Sequence, residues 1–426
     1  MRQRKSADYC PKYLFFKSRN LIIQVNSMKK IIGGIFIGFV ITVASILAIL
    51  YATGYRLQFD GVGTGNIKFI EGTGLLVTNS KPDGARVLIN GRLTTATNNT
   101  INLASGEYEV QIEKDGYLPW KKKITIKNGL VSEANVLLFP TAPKLEAITT
   151  IGVNRVIIDA TDGLIAYTVA SSSAAKNGIY VLNTNSGPLT FLGTSGTQIA
   201  SDTLDAFSSA EISFSPDGKE VLAKLPATTY LLTSGSSNNN PQEVTNNLAA
   251  VETEWNTVKA EIDKKLMDLI SRNLKPVAKA SFSNMMPSAT SDKLLYTASE
   301  SATLPLVLKT KVPSLNSTPD QRKINKGNIY VYDIKEDKNF LIFDTANLKP
   351  GEKTPMFLWH PDSRHLVFTR DGKVNITEYD AGNLTTVFEG PFLNSLVFPW
   401  PDGTSIAIVA RFSQDVPYNI YRIGLR

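Results

Sequence analysis

The stretch ISFSPDGKEVLA (212–223) decides the fold, because it returns as FLWHPDSRHLVF (357–368) and VFPWPDGTSIAI (397–408). Each copy is an apolar strand, a turn on Pro-Asp-Gly or a relative, and a second apolar strand. Weaker copies are IIDATDGLIAY (157–167) and ASFSNMMPSATSDKLLY (280–296), the second carrying an insertion. A further strand pair follows each: GIYVLNTNSGPLTFL (178–192), TYLLT onward (229–245), NIYVYDIKEDKNFLIF (328–343), VNITEYDAGNLTTVF (374–388) and YNIYRIGLR (418–426). Pro361 and Pro401 stand 40 residues apart. Four strands in roughly 40 residues make one blade of a β-propeller. The spacing predicts a propeller over 143–426 with five blades, six being the other count it allows. The last repeat reaches Arg426 one strand short, and Pro143 to Gly152 is expected to supply that strand and close the ring.

Composition fits a mainly β protein rich in turns. The 426 residues include 29 Gly, 21 Pro, 15 Tyr and 19 Phe, with 42% hydrophobic and 19% charged, which excludes collagen, coiled coil and wholesale disorder. The formal charge of +7 has a single source. Residues 1–30 carry Arg2, Arg4, Lys5, Lys12, Lys17, Arg19, Lys29 and Lys30 against Asp8 alone, and that surplus is the whole net charge. The rest of the chain balances, so no nucleic-acid partner is expected for the folded body. The one cysteine, Cys10, excludes an internal disulfide and a Cys-based zinc site.

Residues 31–52, IIGGIFIGFVITVASILAILYA, contain no charge. As a helix they would span ~33 Å, against a hydrocarbon core of ~30 Å. Their 13 Ile, Leu, Phe and Val residues favour insertion by about 4–8 kcal/mol. A transmembrane helix is expected, with the lipid bilayer as partner of 31–52. A cleaved signal peptide would be shorter and end on a small-x-small site, whereas this run exits through Leu50-Tyr51-Ala52. The basic flank puts the tail 1–30 in the cytoplasm and the bulk of the chain outside the cell membrane, single-pass. Met28-Lys29-Lys30 leads straight into the apolar run and is the favoured start over Met1.

Residues 53–73 read as a Gly-rich linker, since no helix follows Gly61, Gly63 and Gly65 to make a phosphate loop. From 74 to 139 the pattern is strand and turn. Asn90-Gly91 is a strong hairpin signal, and in GEYEVQIEK (106–114) Tyr108, Val110 and Ile112 alternate with polar residues, a strand with one wet face. A small β-sandwich is expected. Pro82-Asp83-Gly84-Ala85, then Val87, Ile89, Asn90 and Gly91, then Gly106, Tyr108 and Val110, then Lys114, Gly116 and Tyr117 follow in order. This segment resembles the PEGA domain, with Asp for the Glu of its name, and the resemblance implies an extracytoplasmic module of surface proteins without known catalysis. The F-S-P-D-G-K repeat is similar to the WD40-like repeats of the TolB family. Lys121-Lys122-Lys123 is expected to be a solvated edge that discourages strand addition.

Catalytic constellations are thin. The two histidines, His360 and His365, occupy repeat positions that hold Ser215 or Trp400 and Glu220 or Ser405 in other copies, so ordinary strand-end roles are expected over a metal pair. No G-x-S-x-G elbow occurs, and a Ser-His-Asp triad lacks candidates. Glu252/Glu254 and Glu336/Asp337 are expected to be solvated. The turns Pro216-Asp217-Gly218, Pro361-Asp362 and Pro401-Asp402-Gly403 are expected to be structural, Asp bonding local backbone N–H groups. No catalytic residue, cofactor or metal is expected.

One amphipathic helix interrupts the strands, over 248–273, with Leu248, Val251, Trp255, Val258, Ile262, Leu266 and Leu269 on one face. In a blade with strands A to D, the Asp-Gly turns are A–B turns and their face is expected to be plain. The long connections 193–209, 248–273 and 297–327 are expected on the opposite face as a cap for a partner, with Trp255 as anchor. The functional expectation is an envelope binding or scaffolding protein, recognising a protein or a cell-wall glycan. The alternative is an envelope enzyme, or an enzyme-gating propeller, with its active site in the central funnel.

Overall fold

The computed structural model describes residues 33–49, 55–58, 68–159, 161, 163–170, 173–185, 196–309 and 316–426. They form two compact units: one holds the chain up to Leu75 with Asn102–Gly106 and Ile126–Leu130, the other holds Leu76–Ile101, Glu107–Thr125 and Val131–Arg426.

In the first unit the apolar run is helical over 33–49, and its Ile35, Phe36 and Phe39 side chains are exposed. Residues 31, 32 and 50–52 of the expected span lie outside the described residues, as does the tail 1–30. Among the described residues no helix is long and apolar enough to cross a membrane. The expected linker departs from its sequence reading. Tyr55–Gln58 is a strand paired with the start of Lys68–Lys81, Tyr55 opposite Gly72 and Gln58 opposite Lys68. Tyr and Leu at alternate positions, and Phe69-Ile70, give these ends β character that their glycines mask.

Most of the small module lies in the second unit. One sheet has the order Arg92–Ala96, Arg86–Ile89, Gly106–Glu113, Trp120–Ile126, which leaves Trp120–Ile126 as an edge. A second sheet is centred on Lys68–Lys81, which pairs with Val131–Leu137. The hairpin at Asn90-Gly91 has φ of 49° and 76°, the left-handed pair a two-residue turn requires. Leu76, Val87, Val110, Ile112 and Ile124 form the core.

Five four-stranded antiparallel sheets follow, the fifth completed by a strand from earlier in the chain. Blade 1 is Val156–Asp159, Leu164–Val169, Gly178–Asn183 and Thr197–Ser201, and blade 2 is Glu211–Phe214, Glu220–Lys224, Thr229–Thr233 and Gln242–Glu243. Blade 3 is Phe282–Pro287, Lys293–Ala298, Ile329–Asp333 and Lys338–Phe343, and blade 4 is Leu358–Trp359, His365–Arg370, Lys373–Glu378 and Thr385–Glu389. Blade 5 is Phe392–Pro399, Ser405–Ala410 and Asn419–Gly424, completed by Leu145–Ala147 from the far end of the chain. Ala147 lies opposite Tyr421 and Leu145 opposite Ile423.

Apolar layers join the blades. Tyr167 and Leu182 of blade 1 meet Trp400 and Val409 of blade 5. Ala166 and Val181 meet Val221 and Leu232 of blade 2. Leu295 and Val331 of blade 3 meet Trp359 and Phe368 of blade 4, and Val367 and Ile376 of blade 4 meet Ile406 and Ile408 of blade 5. Strands buried on both faces are apolar almost throughout, and Leu164–Val169 and Ser405–Ala410, apolar but for Thr168 and Ser405, are buried at every position. These layers join the five blades in the spatial order 2–1–5–4–3, the face-to-face packing of β-propeller blades.

The helix is observed at Leu248–Leu269, with a second short helix at Lys275–Ser281. At 22 residues the first spans ~33 Å, whereas a blade strand of five or six residues spans ~17–20 Å. It therefore overruns the expected face. Trp255 Nε1 donates to Glu220 Oε2 (2.8 Å) at the A–B end of blade 2, and the ring shares a hollow with Phe214 and Pro216.

Glu146 tests the closure. Its side chain is exposed, so Glu146→Pro removes a ladder N–H opposite Arg422 with little loss of packing. A loss on the order of 1–3 kcal/mol in urea unfolding is expected, the cost of an orphaned carbonyl; an unchanged midpoint would contradict the closure.

Candidate functional site

Lys122 joins the small module to the ring. Its Nζ lies 2.7 Å from Glu378 Oε2 and 2.5 Å from Asp380 Oδ2, the three side chains being 17%, 12% and 0% exposed. Both acids sit where strand C of blade 4 ends. Trp120 Nε1 donates to Glu378 Oε1 (2.5 Å). Asp380 Oδ2 also accepts from Thr318 Oγ1 (2.6 Å) and Asn316 Nδ2 (2.7 Å). Burial works against the Lys122 ammonium, but Glu378 and Asp380 outweigh it and its pKa is raised. Burial likewise opposes the Asp380 carboxylate, and Lys122 with its hydrogen-bond donors brings its pKa down. The apolar part of the contact is Leu137 and Phe139, which enter the layer between blades 4 and 5.

The expectation of a solvated lysine run is corrected at Lys122. Lys121 keeps an exposed pair with Glu109 (2.8 Å), but the edge backbone is covered by the ring. Lys121 N–H donates to Asn383 Oδ1 (3.0 Å), and Ser317 Oγ donates to the Lys123 carbonyl (3.3 Å). Docking shields this strand edge. Alternation along the strand points Lys122 the opposite way from its two neighbours.

The face of the Asp-Gly turns is therefore not plain. The segment 297–327 begins and ends on the opposite face as expected, Gly327 N–H donating to the Ala298 carbonyl (2.8 Å), but it does not stay there, and its residues 310–315 lie outside the described residues. It folds back along the outer strand of blade 3, with Gln321 N–H donating to the Asn339 carbonyl (2.7 Å) and Asn339 N–H to Asp320 Oδ1 (2.9 Å). Its middle reaches the C–D turn, where Asn316 N–H donates to Glu336 Oε2 (2.9 Å). That also overturns the solvated Glu336/Asp337 pair. Asp337 is buried, accepting from Val307 N–H (2.7 Å), Leu308 N–H (2.8 Å) and Tyr332 OH (2.7 Å) and pairing with Arg322 (2.9 Å). Of the other expected cap elements, residues 193–195 lie outside the described residues, Thr197–Ser201 is a blade strand, and Phe207 is buried between blades 1 and 2. Glu252 and Glu254 are exposed as expected.

His360 and His365 are buried and belong to a turn cluster. His365 Nδ1 donates to Asp362 Oδ2 (2.6 Å), and His360 Nδ1 lies 3.1 Å from Asp362 Oδ1. His360 Nε2 donates to the Gly403 carbonyl (3.1 Å), tying blade 4's turn to blade 5's. Asp362, His360 and His365 hold their ligand-type atoms within 4.8 Å of one another, and hydrogen bonding accounts for that closeness. Burial opposes both charges, yet each offsets it for the other: His365's pKa is raised and Asp362's falls well below the carboxylate range. These positions are more constrained than the repeat alignment suggested.

The remaining turn residues act locally. Asp217 Oδ1 accepts from Ser215 Oγ (2.8 Å), and Asp402 Oδ1 accepts from Thr404 N–H (2.7 Å). In the small module Lys114 Nζ donates to the Asp83 carbonyl (2.7 Å), Ser80 Oγ to the Pro82 carbonyl (2.7 Å), and Thr97 Oγ1 accepts from Ala85 N–H (3.1 Å). Gly84, Gly218 and Gly403 have φ of 70°, 66° and 66°. Pro216, Pro361 and Pro401 precede their turn's Asp, where Pro pre-sets φ.

Between the Trp120–Ile126 strand and the turns of blades 3 and 4 lies a cleft of about 470 Å³. One wall holds Trp120, Lys122 and Asn135; the other holds Asp292, Lys293, Asp333, Glu336 and Tyr379. Lys293 Nζ lies 2.9 Å from Asp292 Oδ2 and 4.8 Å above the Tyr379 ring. The sequence reading missed these residues. Their one signal is Tyr-Asp recurring at 332–333 and 379–380, where strand C ends in blades 3 and 4.

Residues 73–141 match the PEGA domain family. Among curated proteins no sequence match is found. In solved structures the chain is similar to TolB from Acinetobacter baumannii, at 12% identity and a TM-score of 0.21, covering 74% of this chain and 59% of that one. It is also similar to a putative TolB from Agrobacterium tumefaciens (16% identity, TM-score 0.21, 49% of this chain and 71% of that one). A luciferin-regenerating enzyme matches at 9% identity and a TM-score of 0.28, over 66% of this chain and 95% of that one. The chain thus spans about three fifths of the Acinetobacter protein's length. Likeness of this degree says nothing of function, and the propeller stands on its own sheet topology.

Two outcomes follow from the buried charges. Lys122→Met leaves Glu378 and Asp380 unpaired and is expected to cost about 3–5 kcal/mol in urea unfolding; adding Glu378→Gln and Asp380→Asn should return much of it. His365's folded pKa lies above 6.5, so its contribution is lost as pH rises through that folded value. Asp362's lies below 3.8, so its contribution is lost as pH falls through its own. The thermal midpoint is expected to decline on the alkaline side of 6.5, and His365→Gln should flatten that decline; an equal slope in the variant would contradict the pairing.

Proposed function

We propose that the chain is a membrane-anchored, extracytoplasmic binding protein of the cell envelope, with residues 31–52 as its anchor. The PEGA-like module and the propeller together present one polar cleft to a protein or glycan partner. The carrying observation is the clamp of Lys122 between Glu378 and Asp380, which forms the cleft between walls from two modules. The uncharged run 31–52 and its basic flank support the anchor and its orientation. Binding without catalysis is favoured because both histidines of the chain are spent on Asp362 and the Gly403 carbonyl, leaving no imidazole to serve as a base at the funnel. Trp255 is a weaker anchor than expected, its indole N–H being committed to Glu220.

A photo-crosslinking residue at the exposed cleft rim, Lys335, in the full chain on intact cells is expected to capture an envelope partner. The same residue at Glu254 should not, and added protease should remove the chain beyond residue 54. Capture at Glu254 alone, or a protease-protected propeller, would overturn the proposal.

A further inference from the structure

The charges within the cleft identify what it takes. We propose that it binds an alkylammonium group, presented by a lysine side chain of a partner peptide or by a free diamine, between Asp333 and Glu336. This rests on the cleft being a binding site and names its ligand class.

Among the residues lining the cleft, Asp333, Glu336 and Glu378 are largely buried carboxylates and Asp292 is partly exposed, beside the ammonium groups of Lys122 and Lys293. Lys122 is held by Glu378 and Asp380, and Lys293 lies closer to Asp292 than to Asp333. The Asp333 side chain is 4% exposed, and Lys293 Nζ lies 3.9 Å from its Oδ2. The Glu336 side chain is 15% exposed, with Lys338 Nζ 3.9 Å from its Oε2. Asp333 Oδ1 accepts from Glu336 N–H (2.8 Å) and the Glu336 oxygens accept from Asn316 N–H (3.0 and 2.9 Å), which leaves each carboxylate acceptor capacity for a charge-assisted hydrogen bond from an incoming donor. Burial raises the pKa of both, the mark of carboxylates short of compensating charge. The rim adds Glu133, Lys335 and Arg364, all exposed, where charge is screened by salt.

Other ligands fit less well. Lys293 covers the Tyr379 ring and Phe340 meets it edge-on at 5.6 Å, while Trp120 is buried. Neither aromatic offers a free face for a sugar to stack on. Among the described residues, the group of three metal-ligating side chains with donor atoms within 4.8 Å of one another is His360, Asp362 and His365. The cleft carboxylates are spread more widely, which suits an ammonium on a flexible stem over a bare ion. Lys293 already shows the mode, its ammonium held by a carboxylate and an aromatic face.

The test uses the full chain in detergent micelles with three probes: cadaverine, the capped tripeptide Ala-Lys-Ala, and its norleucine counterpart. Calorimetry is expected to show saturable binding of the lysine peptide at least tenfold tighter than of the norleucine one. Cadaverine matching the lysine peptide would assign a free amine as ligand; a preference for the peptide would assign a protein partner. Asp333→Asn with Glu336→Gln should lose at least tenfold in affinity without a lower thermal midpoint, whereas Glu254→Gln should keep full affinity. Equal binding of the two peptides, no saturable binding of either amine, or unchanged affinity in the double variant would each overturn the proposal. The peptide comparison needs no variant, so a misfolded double variant leaves it decisive. Crosslinking at Lys335 in cells without amine binding would overturn the ammonium assignment alone and leave the binding function standing.

Discussion

The pairing of Leu145–Ala147 with Asn419–Gly424 completes the fifth blade with a strand from the other end of the repeat region and so ties the two ends of that region together. The three-residue strand contributes few hydrogen bonds of its own. Its effect is topological: with it in place blade 5 packs on blade 1 through Trp400, Val409 and Tyr167. Without that packing the layer would be wet, at about 25 cal/mol per Å² of apolar surface.

The same strand places the small module. Val131–Leu137 precedes Leu145–Ala147 by a short connection, so the module must sit beside blades 4 and 5. Leu137 and Phe139 enter their apolar layer, and Trp120–Ile126 comes to rest over the turn at Glu378 to Asp380. A buried lysine is costly unless its partners are well placed. Here two carboxylates are, with Thr318 and Asn316 holding one of them. The clamp contributes specificity of docking more than net stability. It turns a module that would read as a spacer into one wall of a cleft.

Most failed sequence expectations trace to a neighbour distant along the chain. Lys122 reads as one of three surface lysines, and only the acids some 250 residues later bury it. Glu336 and Asp337 read as a polar turn, and the returning segment near Asn316 and Arg322 covers them. His360 and His365 sit at repeat positions that hold unrelated residues elsewhere, so repeat comparison gave them no weight. Their partners are Asp362 in the same turn and Gly403 in the next blade. The helix face was legible, since 3.6-residue periodicity is local, but its position was not, since helix length against blade height is a matter of packing.

The repeat of strand, Asp-Gly turn and strand determined the blades by itself, because period-two burial and turn chemistry are written in adjacent residues. Asn90-Gly91 and the PEGA-like turns likewise determined the small module, and the balanced charge beyond residue 30 argued against a nucleic-acid partner. Tertiary structure alone decided that the module docks on the turn face, that Lys122 is clamped there, and that Asp333, Glu336 and Lys293 share a cleft. Local sequence carries backbone propensity and hydrophobic period. The burial of a charge depends on which distant surface the folded chain brings against it.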